Sequence, residues 1–345
     1  MLSKIISEDN VSRSYKLIDK AERIVIVSHL SPDGDAIGSS LGLYHFLKAI
    51  DKESVIIVPN RFPNFLNWMA GSEDIVVYEE KNKEGQVLIA SADLVIAVDF
   101  NDLKRIDGLK PLIEQSSAKK IMIDHHLYPG DFAHVTISHP SISSSSELVF
   151  RLICRMGYFQ NINKECAEAI YTGMMTDTGG FSFNSQSPEI YHIISELLSK
   201  GINKDQIYQK VYNNYSADRM RLLGYCLSEK MKLYPEQRTA VIHLSLEELE
   251  HYNYQVGDTE GLVNVPLSIQ GIDVSVFVKE DVKKVKLSFR SQGVIPVNQM
   301  AAEYFHGGGH LNAAGGESSL SLIETLEKLE KVILQGDFLV EGEAS

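Results

Sequence analysis

The stretch Arg23-Ile24-Val25-Ile26-Val27-Ser28-His29-Leu30-Ser31-Pro32-Asp33-Gly34-Asp35 decides how the first half of this chain is read. A short apolar, β-branched run ends in a turn that carries one imidazole and two carboxylates. Ala36 to Ile50 follows, with Ile37, Leu41, Tyr44 and Leu47 recurring at helical spacing. A second apolar run, Ser54 to Val58, comes next. Strand, helix, strand is the economical reading, and it implies a parallel sheet covered by helices on both faces.

Two further runs of the same kind lie downstream, Asp93 to Val98 and Lys120 to Ile123. Ligands of open parallel sheets gather beyond the carboxyl ends of the strands. Three of the four runs lead into acids and histidines at that position: the first into His29, Asp33 and Asp35, the third into Asp99, the fourth into Asp124, His125 and His126. Taken alone, Asp33 and Asp35 serve equally well as caps of the next helix, and Asp99 as an ordinary loop acid. Their shared place at one sheet edge favours a site. Asp99 ends what should be a central strand, where an unpaired carboxylate is costly to desolvate and a cation removes that cost. Adjacent side chains point different ways, so one of His125 and His126 can bind a metal while the other faces substrate. Asp124 is then placed to fix an imidazole tautomer.

Glu165 to Asp177 reads as a helix stopped by Thr178, Gly179 and Gly180, and it leaves Asp177 at its end. Ile190 to Leu198 and Lys204 to Leu227 read as helices with few turn signals. The expected organisation is a catalytic domain over residues 1–196, a helical linker over 197–237 and a smaller mixed α/β domain over 238–345. That last part holds β-like runs at Thr239 to Leu244, Ile272 to Lys279 and Val285 to Arg290. A glycine-rich stretch, Gly307 to His310, and a helix from Leu320 to Leu334 complete it. Arg290, at a strand end, offers a fork for a terminal phosphate; Gly307, Gly308 and Gly309 let the backbone approach a ligand, and His310 adds a hydrogen bond or charge. The plainer alternative is a glycine turn between strand and helix. Arg105 is a further phosphate candidate, balanced against a solvated helix-face arginine. Ser143 to Ser146 reads as a helix start before Glu147 rather than as a covalent nucleophile, since no histidine triad is specified around it.

With 46 acidic and 33 basic residues the formal net charge is −13, which repels a long polyanion such as duplex nucleic acid. An acidic protein that handles phosphates must turn its carboxylates toward cations. The three cysteines, Cys154, Cys166 and Cys226, form no CxxC pair, which argues against both a disulfide framework and a thiolate zinc site. A polar amino-terminal segment, and no apolar run near the about 18 residues of a membrane span, lead to the expectation of a cytoplasmic protein without membrane association.

The run His29 to Asp35, then Asp99, then Asp124-His125-His126, then Asp177 within Met174-Met175-Thr176-Asp177-Thr178-Gly179-Gly180-Phe181 resembles, in order and spacing, the DHH phosphoesterase superfamily. Phe289-Arg290-Ser291 and Gly307-Gly308-Gly309-His310 resemble the substrate-binding motifs of the DHH-associated C-terminal domain. The overall length is similar to the bifunctional oligoribonuclease and PAP phosphatase branch. The resemblance implies two divalent ions, usually manganese, with magnesium as the alternative. It places His29 and Asp33 on one ion, Asp35, His125 and Asp177 on the other, Asp99 between them, and His126 toward the substrate phosphate. Imidazole with carboxylate suits manganese on chemical grounds as well.

The implied activity is hydrolysis of short single-stranded oligonucleotides and of 3′-phosphoadenosine 5′-phosphate to nucleoside monophosphates, by a monomer or homodimer. A manganese pyrophosphatase shares the same N-terminal motifs, but Gly307 to His310 favours a nucleotide-reading second domain. A cyclic-dinucleotide phosphodiesterase is a third reading. An inactive nucleotide-binding regulator would carry a broken ligand set, whereas every position here holds a competent residue.

Overall fold

A computed structural model describes residues 3–336 of the chain. They form two compact units, divided at Asn214 and Tyr215. The division falls inside the helical stretch that the sequence reading sets aside as a linker. That stretch is not one long helix, because Asn213 and Ser216 end and cap shorter ones.

In the first unit the strands are β1 (Arg23–Val27), β2 (Glu53–Val58), β3 (Val76–Val77), β4 (Leu94–Val98), β5 (Lys119–Asp124) and β6 (Val135–Ser138). The helices are α1 (Glu8–Lys20), α2 (Gly34–Ala49), α3 (Asn82–Ser91), α4 (Lys110–Gln115), α5 (Ser145–Arg155), α6 (Lys164–Asp177), α7 (Pro188–Ser199) and α8 (Lys204–Tyr212). The sheet order is β3-β2-β1-β4-β5-β6 and every pairing is parallel. Both faces are buried, which explains the continuous apolar runs. Ile24, Ile26, Ile96 and Ile121 pack against one helical layer; Val25, Val27, Val95 and Met122 pack against another. The chain winds outward from β1 to β3 and then returns to place β4 on the other side of β1. The crevice between the carboxyl ends of β1 and β4 is therefore a topological switch point.

Helices α2 and α6 approach almost backbone to backbone. Gly34, Gly38 and Gly42 recur every fourth residue along one stripe of α2, and an added Cβ at Gly38 would lie 2.7 Å from the Ala169 carbonyl oxygen and from Gly173 Cα. The two helices run antiparallel, since Gly34 faces Thr176 while Gly42 faces Ile170. That contact brings Asp35, in the first turn of α2, to the same end as Asp177, the last residue of α6.

The second unit contains α9 (Ala217–Tyr225), α10 (Leu246–His251), α11 (Val297–Phe305) and α12 (Leu322–Gln335). Its strands are β7 (Met231–Tyr234), β8 (Thr239–Leu244), β9 (Val274–Glu280), β10 (Val285–Ser291), β11 (Gly308–His310) and β12 (Ala313–Ser318), in the order β11-β12-β10-β9-β8-β7. All pairs are antiparallel except β8 with β9, so the sheet is mixed. Val285, Leu287 and Phe289 pack on α11 and α12, while Arg290 belongs to the opposite face of β10. No helix among the described residues is long and apolar enough to cross a membrane.

Candidate metal centre

The loop after β1 is fixed by two long-range bonds from its backbone N–H groups. The Leu30 N–H donates to the Arg105 carbonyl at 2.7 Å, and the Ser31 N–H donates to Asn60 Oδ1 at 2.6 Å. Asp33 is the N-cap of α2, its Oδ1 accepting from the N–H groups of Asp35 and Ala36 at 3.0 Å each. The same carboxylate oxygen lies 3.9 Å from His29 Nε2. Asp33 therefore caps the helix and at the same time lies beside His29, so the two alternatives in the sequence do not exclude each other.

Asp99 follows β4 with φ +62°, a left-handed backbone that Asp tolerates better than bulkier residues, and it is 1% exposed. Its Oδ2 lies 3.2 Å from His29 Nε2; its Oδ1 lies 3.6 Å from His125 Nε2. His125 Nε2 is also 3.9 Å from Asp35 Oδ2 and 3.5 Å from Asp177 Oδ2. Both histidines orient themselves the same way: Nδ1 meets a backbone carbonyl, Leu30 at 2.9 Å for His29 and Ile142 at 3.2 Å for His125. That leaves Nε2 as the ring atom directed at the carboxylates.

The chain thereby gathers His29 with Asp33 and Asp99, and separately Asp35 with His125 and Asp177. Within each group the potential ligand atoms lie within 4.8 Å of one another. Oxygen and imidazole donors without thiolate fit a divalent cation of the manganese or magnesium kind. The electrostatics point the same way. Burial, reinforced by the charges of Asp99 and Asp177, pushes Asp35 well above the usual carboxylate range. Burial opposes the charge on Asp99 too, but its hydrogen bond and ion pair with His29 and the nearby His126 and His125 outweigh it and hold that acid low. Burial also opposes a proton on His125, yet Asp177, Asp99 and Asp35 together push it up to about 9. His29 is raised by Asp99 and Asp33 against the same burial penalty. Asp177 adds a carboxylate to a helix C-terminus, where the helix dipole disfavours an anion. In the metal-free chain His29 and His125 therefore hold a proton more strongly than an ordinary imidazole.

His126 is held differently. Asp124, fully buried, accepts from the His126 N–H at 2.8 Å and meets its Nδ1 at 2.7 Å. The acid that the sequence offers to either histidine thus pairs with His126, and His125 takes a carbonyl instead. Burial lowers the proton affinity of His126 and the charge of Arg105 adds to this, against the pull of Asp124. Arg105 is half-buried, and its charge acts on His29 as well.

The Ser143–Ser146 run starts α5, with Ser144 as N-cap. The run signals only a helix start in the sequence, but Ser145 and Ser146 also bond Asp35, and Ser145 bonds Asp99. The α2 glycines were missed too, although their spacing of four was visible.

In the second unit, Arg290 of β10 and His310 of β11 both register with Ala313 of the intervening β12. Directly opposed residues of antiparallel strands share a face, so Arg290, Ala313 and His310 form one cross-strand row with its smallest member in the middle. Ser291 turns inward, its hydroxyl donating to the Ile295 carbonyl at 2.7 Å and accepting from Asn312 at 2.9 Å. An added Cβ at Gly307 would lie 2.0 Å from the Gly315 carbonyl oxygen, and one at Gly309 2.4 Å from that of Ala313. These two glycines are demanded by the packing of β11 on β12. Gly308 faces open space.

A carboxylate and imidazole cluster at the switch point of a parallel sheet defines a candidate divalent-cation site of the hydrolase type. Residues 23–174 match the DHH family N-terminal domain, and residues 238–335 match the DHHA1 domain. The chain belongs to the DHH phosphoesterase superfamily. It is 31% identical over 315 residues to the bifunctional oligoribonuclease and PAP phosphatase NrnA of Thermus thermophilus, covering 90% of this chain and 89% of that one. A crystal structure of an exopolyphosphatase-related protein from Bacteroides fragilis is similar at 56% identity and a TM-score of 0.91, with coverage of 97% and 98%. The exonuclease RecJ bound to manganese shares the fold at 14% identity and a TM-score of 0.57, over 99% and 97% of the two chains.

Proposed function

We propose that this phosphoesterase hydrolyses short single-stranded oligonucleotides and 3′-phosphoadenosine 5′-phosphate to nucleoside monophosphates, using two divalent cations, manganese first among them. The observation that carries the reading is Asp99, whose two oxygens face two separate groups of ligands, His29 with Asp33 and His125 with Asp35 and Asp177. A pair of cations held by these side chains would supply activation of water and neutralisation of phosphoryl charge.

The chain's own residues do the rest. Asp124 holds the Nδ1 side of the His126 ring and so sets the direction in which the ring meets the substrate phosphate. Burial and Arg105 lower the proton affinity of His126 against the pull of Asp124, and an anionic phosphate beside the ring would raise that affinity. Arg105 adds a positive charge beside the same group. In the second unit, Arg290 and His310 share a row and bind the nucleotide's phosphate, with Gly308 open to close approach and Ser291 holding the turn after β10. Overall, the oxygen of water bonds to phosphorus, the ester P–O bond breaks, and a proton passes to the departing oxygen.

The names of the relatives support nucleotide substrates, while the exopolyphosphatase-related protein of Bacteroides fragilis raises polyphosphate as a second substrate class. The test is a panel assay with the purified chain and manganese, comparing labelled dinucleotides, longer oligomers, 3′-phosphoadenosine 5′-phosphate, a cyclic dinucleotide, pyrophosphate and polyphosphate. Fastest turnover is expected on dinucleotides and 3′-phosphoadenosine 5′-phosphate. Preference for a phosphoanhydride, or full activity in excess chelator, overturns the reading.

A further inference from the structure

The amino end of α5 touches the two deepest carboxylates of the site. The Ser145 hydroxyl donates to Asp99 Oδ1 at 2.9 Å, and the Ser145 N–H donates to Asp35 Oδ2 at 2.6 Å. The Ser146 N–H adds a bond to Asp35 Oδ1 at 2.9 Å. Asp35 therefore has both oxygens fixed by backbone donors at a helix N-terminus, where the dipole favours an anion. Asp99 has one oxygen fixed by a hydroxyl. Because that bond occupies one lone-pair direction of Oδ1, it sets the rotation of the carboxyl plane.

The serines are themselves buttressed from behind. Glu147, 1% exposed, accepts from the Ser143 hydroxyl at 2.6 Å through Oε2 and from Arg151 at 2.8 Å through Oε1. Arg151 continues to Glu189 at 2.6 Å. A run of four buried serines over a buried ion pair is an expensive way to begin a helix, since one N-cap serine satisfies the usual need.

We propose that Ser145 is a positioning residue for the Asp35 and Asp99 pair: it hydrogen-bonds both carboxylates and holds them apart in the orientation that receives cations. The inference rests on the assignment of those two acids as metal ligands. Ser145→Ala removes only the hydroxyl bond to Asp99, because both backbone donors to Asp35 remain. Partners of metal ligands typically contribute about 10–100-fold to metal affinity.

The experiment is calorimetric titration of the metal-free chain with Mn2+ alone, beside thermal unfolding of the same metal-free samples. Wild type is expected to bind Mn2+, and Ser145→Ala to bind it about tenfold or more weakly. Ser143→Ala, which loses a hydroxyl bond to Glu147 and none to a carboxylate of the site, is the control. It should lose thermal stability and keep its Mn2+ affinity. Should Ser145→Ala fail to fold, Ser145→Thr and Ser145→Val form an isosteric pair that differs in the hydroxyl, and Thr is expected to bind Mn2+ more tightly than Val. Equal Mn2+ affinity in Ser145→Ala and wild type, or in the Thr and Val variants, reduces Ser145 to a helix-start residue and overturns the proposal. No Mn2+ binding by wild type overturns instead the metal assignment on which it stands.

Discussion

The two units present their candidate residues in opposite ways. In the first, six acids and histidines are drawn from three loops and two helix ends into one cluster, with His29, Asp35, Asp99 and His125 buried and Asp33 and Asp177 partly exposed. In the second, Arg290 and His310 lie on a partly exposed sheet face, and two of the three glycines beside them are already explained by strand packing. A site made of buried charge declares itself by its electrostatic cost. One made of a surface row and glycines has to be separated from the needs of the fold, position by position.

The strongest test of this contrast is Asp99→Ala. It should abolish phosphoesterase activity and cut bound metal together, because one residue faces both ligand groups; activity and atomic-absorption metal content are the measurements. Arg290→Ala should leave metal content unchanged and lower kcat/KM on dinucleotides by about tenfold to a hundredfold, corresponding to the roughly 1.5–3 kcal/mol of a charge-assisted hydrogen bond. p-Nitrophenyl phosphate, which has no second nucleotide to recognise, should be spared. Equal losses on both substrates would show that Arg290 supports chemistry rather than recognition.

Glycine substitutions sharpen the second half of the comparison. Gly307→Ala forces a Cβ into the Gly315 carbonyl and should destabilise the chain by about 1–3 kcal/mol in urea unfolding. Gly308→Ala should stay within about 0.5 kcal/mol of wild type and weaken nucleotide binding instead. A stability loss at Gly308 would assign all three glycines to the fold.

The smallest effect concerns pH. His125 has its folded proton affinity raised from the ordinary imidazole value of 6.5 to about 9, so its contribution to stability in the metal-free chain is full below about pH 6.5 and fades as pH climbs through about 9. The stability difference between wild type and His125→Asn should therefore shrink across that window. Mn2+ affinity should rise over the same range, since the ion competes with that proton. A difference that grows with pH would contradict the charge arrangement drawn above.

Much of the first unit was legible because burial on both sheet faces forces uninterrupted apolar runs, and the four central strands fall on the four runs. The edge strands were not legible: β3 has two residues, and β6 is half-exposed and short. Lys204 to Leu227 looked continuous because its apolar spacing survives the break, while the Asn213 to Ser216 turn carries no glycine or proline. The metal-type residues could be read from their places after strands. Ser145 could not, because its bond to Asp99 spans 46 positions and a serine run before a glutamate looks like any helix start. The pairing of Asp124 with His126 rather than His125 likewise depends on the ring directions that the backbone sets after β5.

The glycine stripe on α2 has a consequence for how this protein fails. Asp35 and Asp177 ride on two helices whose close approach depends on the absence of side chains at Gly34 and Gly38, and an added Cβ at Gly173 would meet Ser146 and the Asp35 carboxylate. A single methyl group at Gly38 has to pry the helices apart, and the two acids part with them. A genetic screen for inactive alleles should consequently recover Gly38 and Gly173 alongside the acids and histidines themselves, as heat-sensitive variants that excess manganese partly restores.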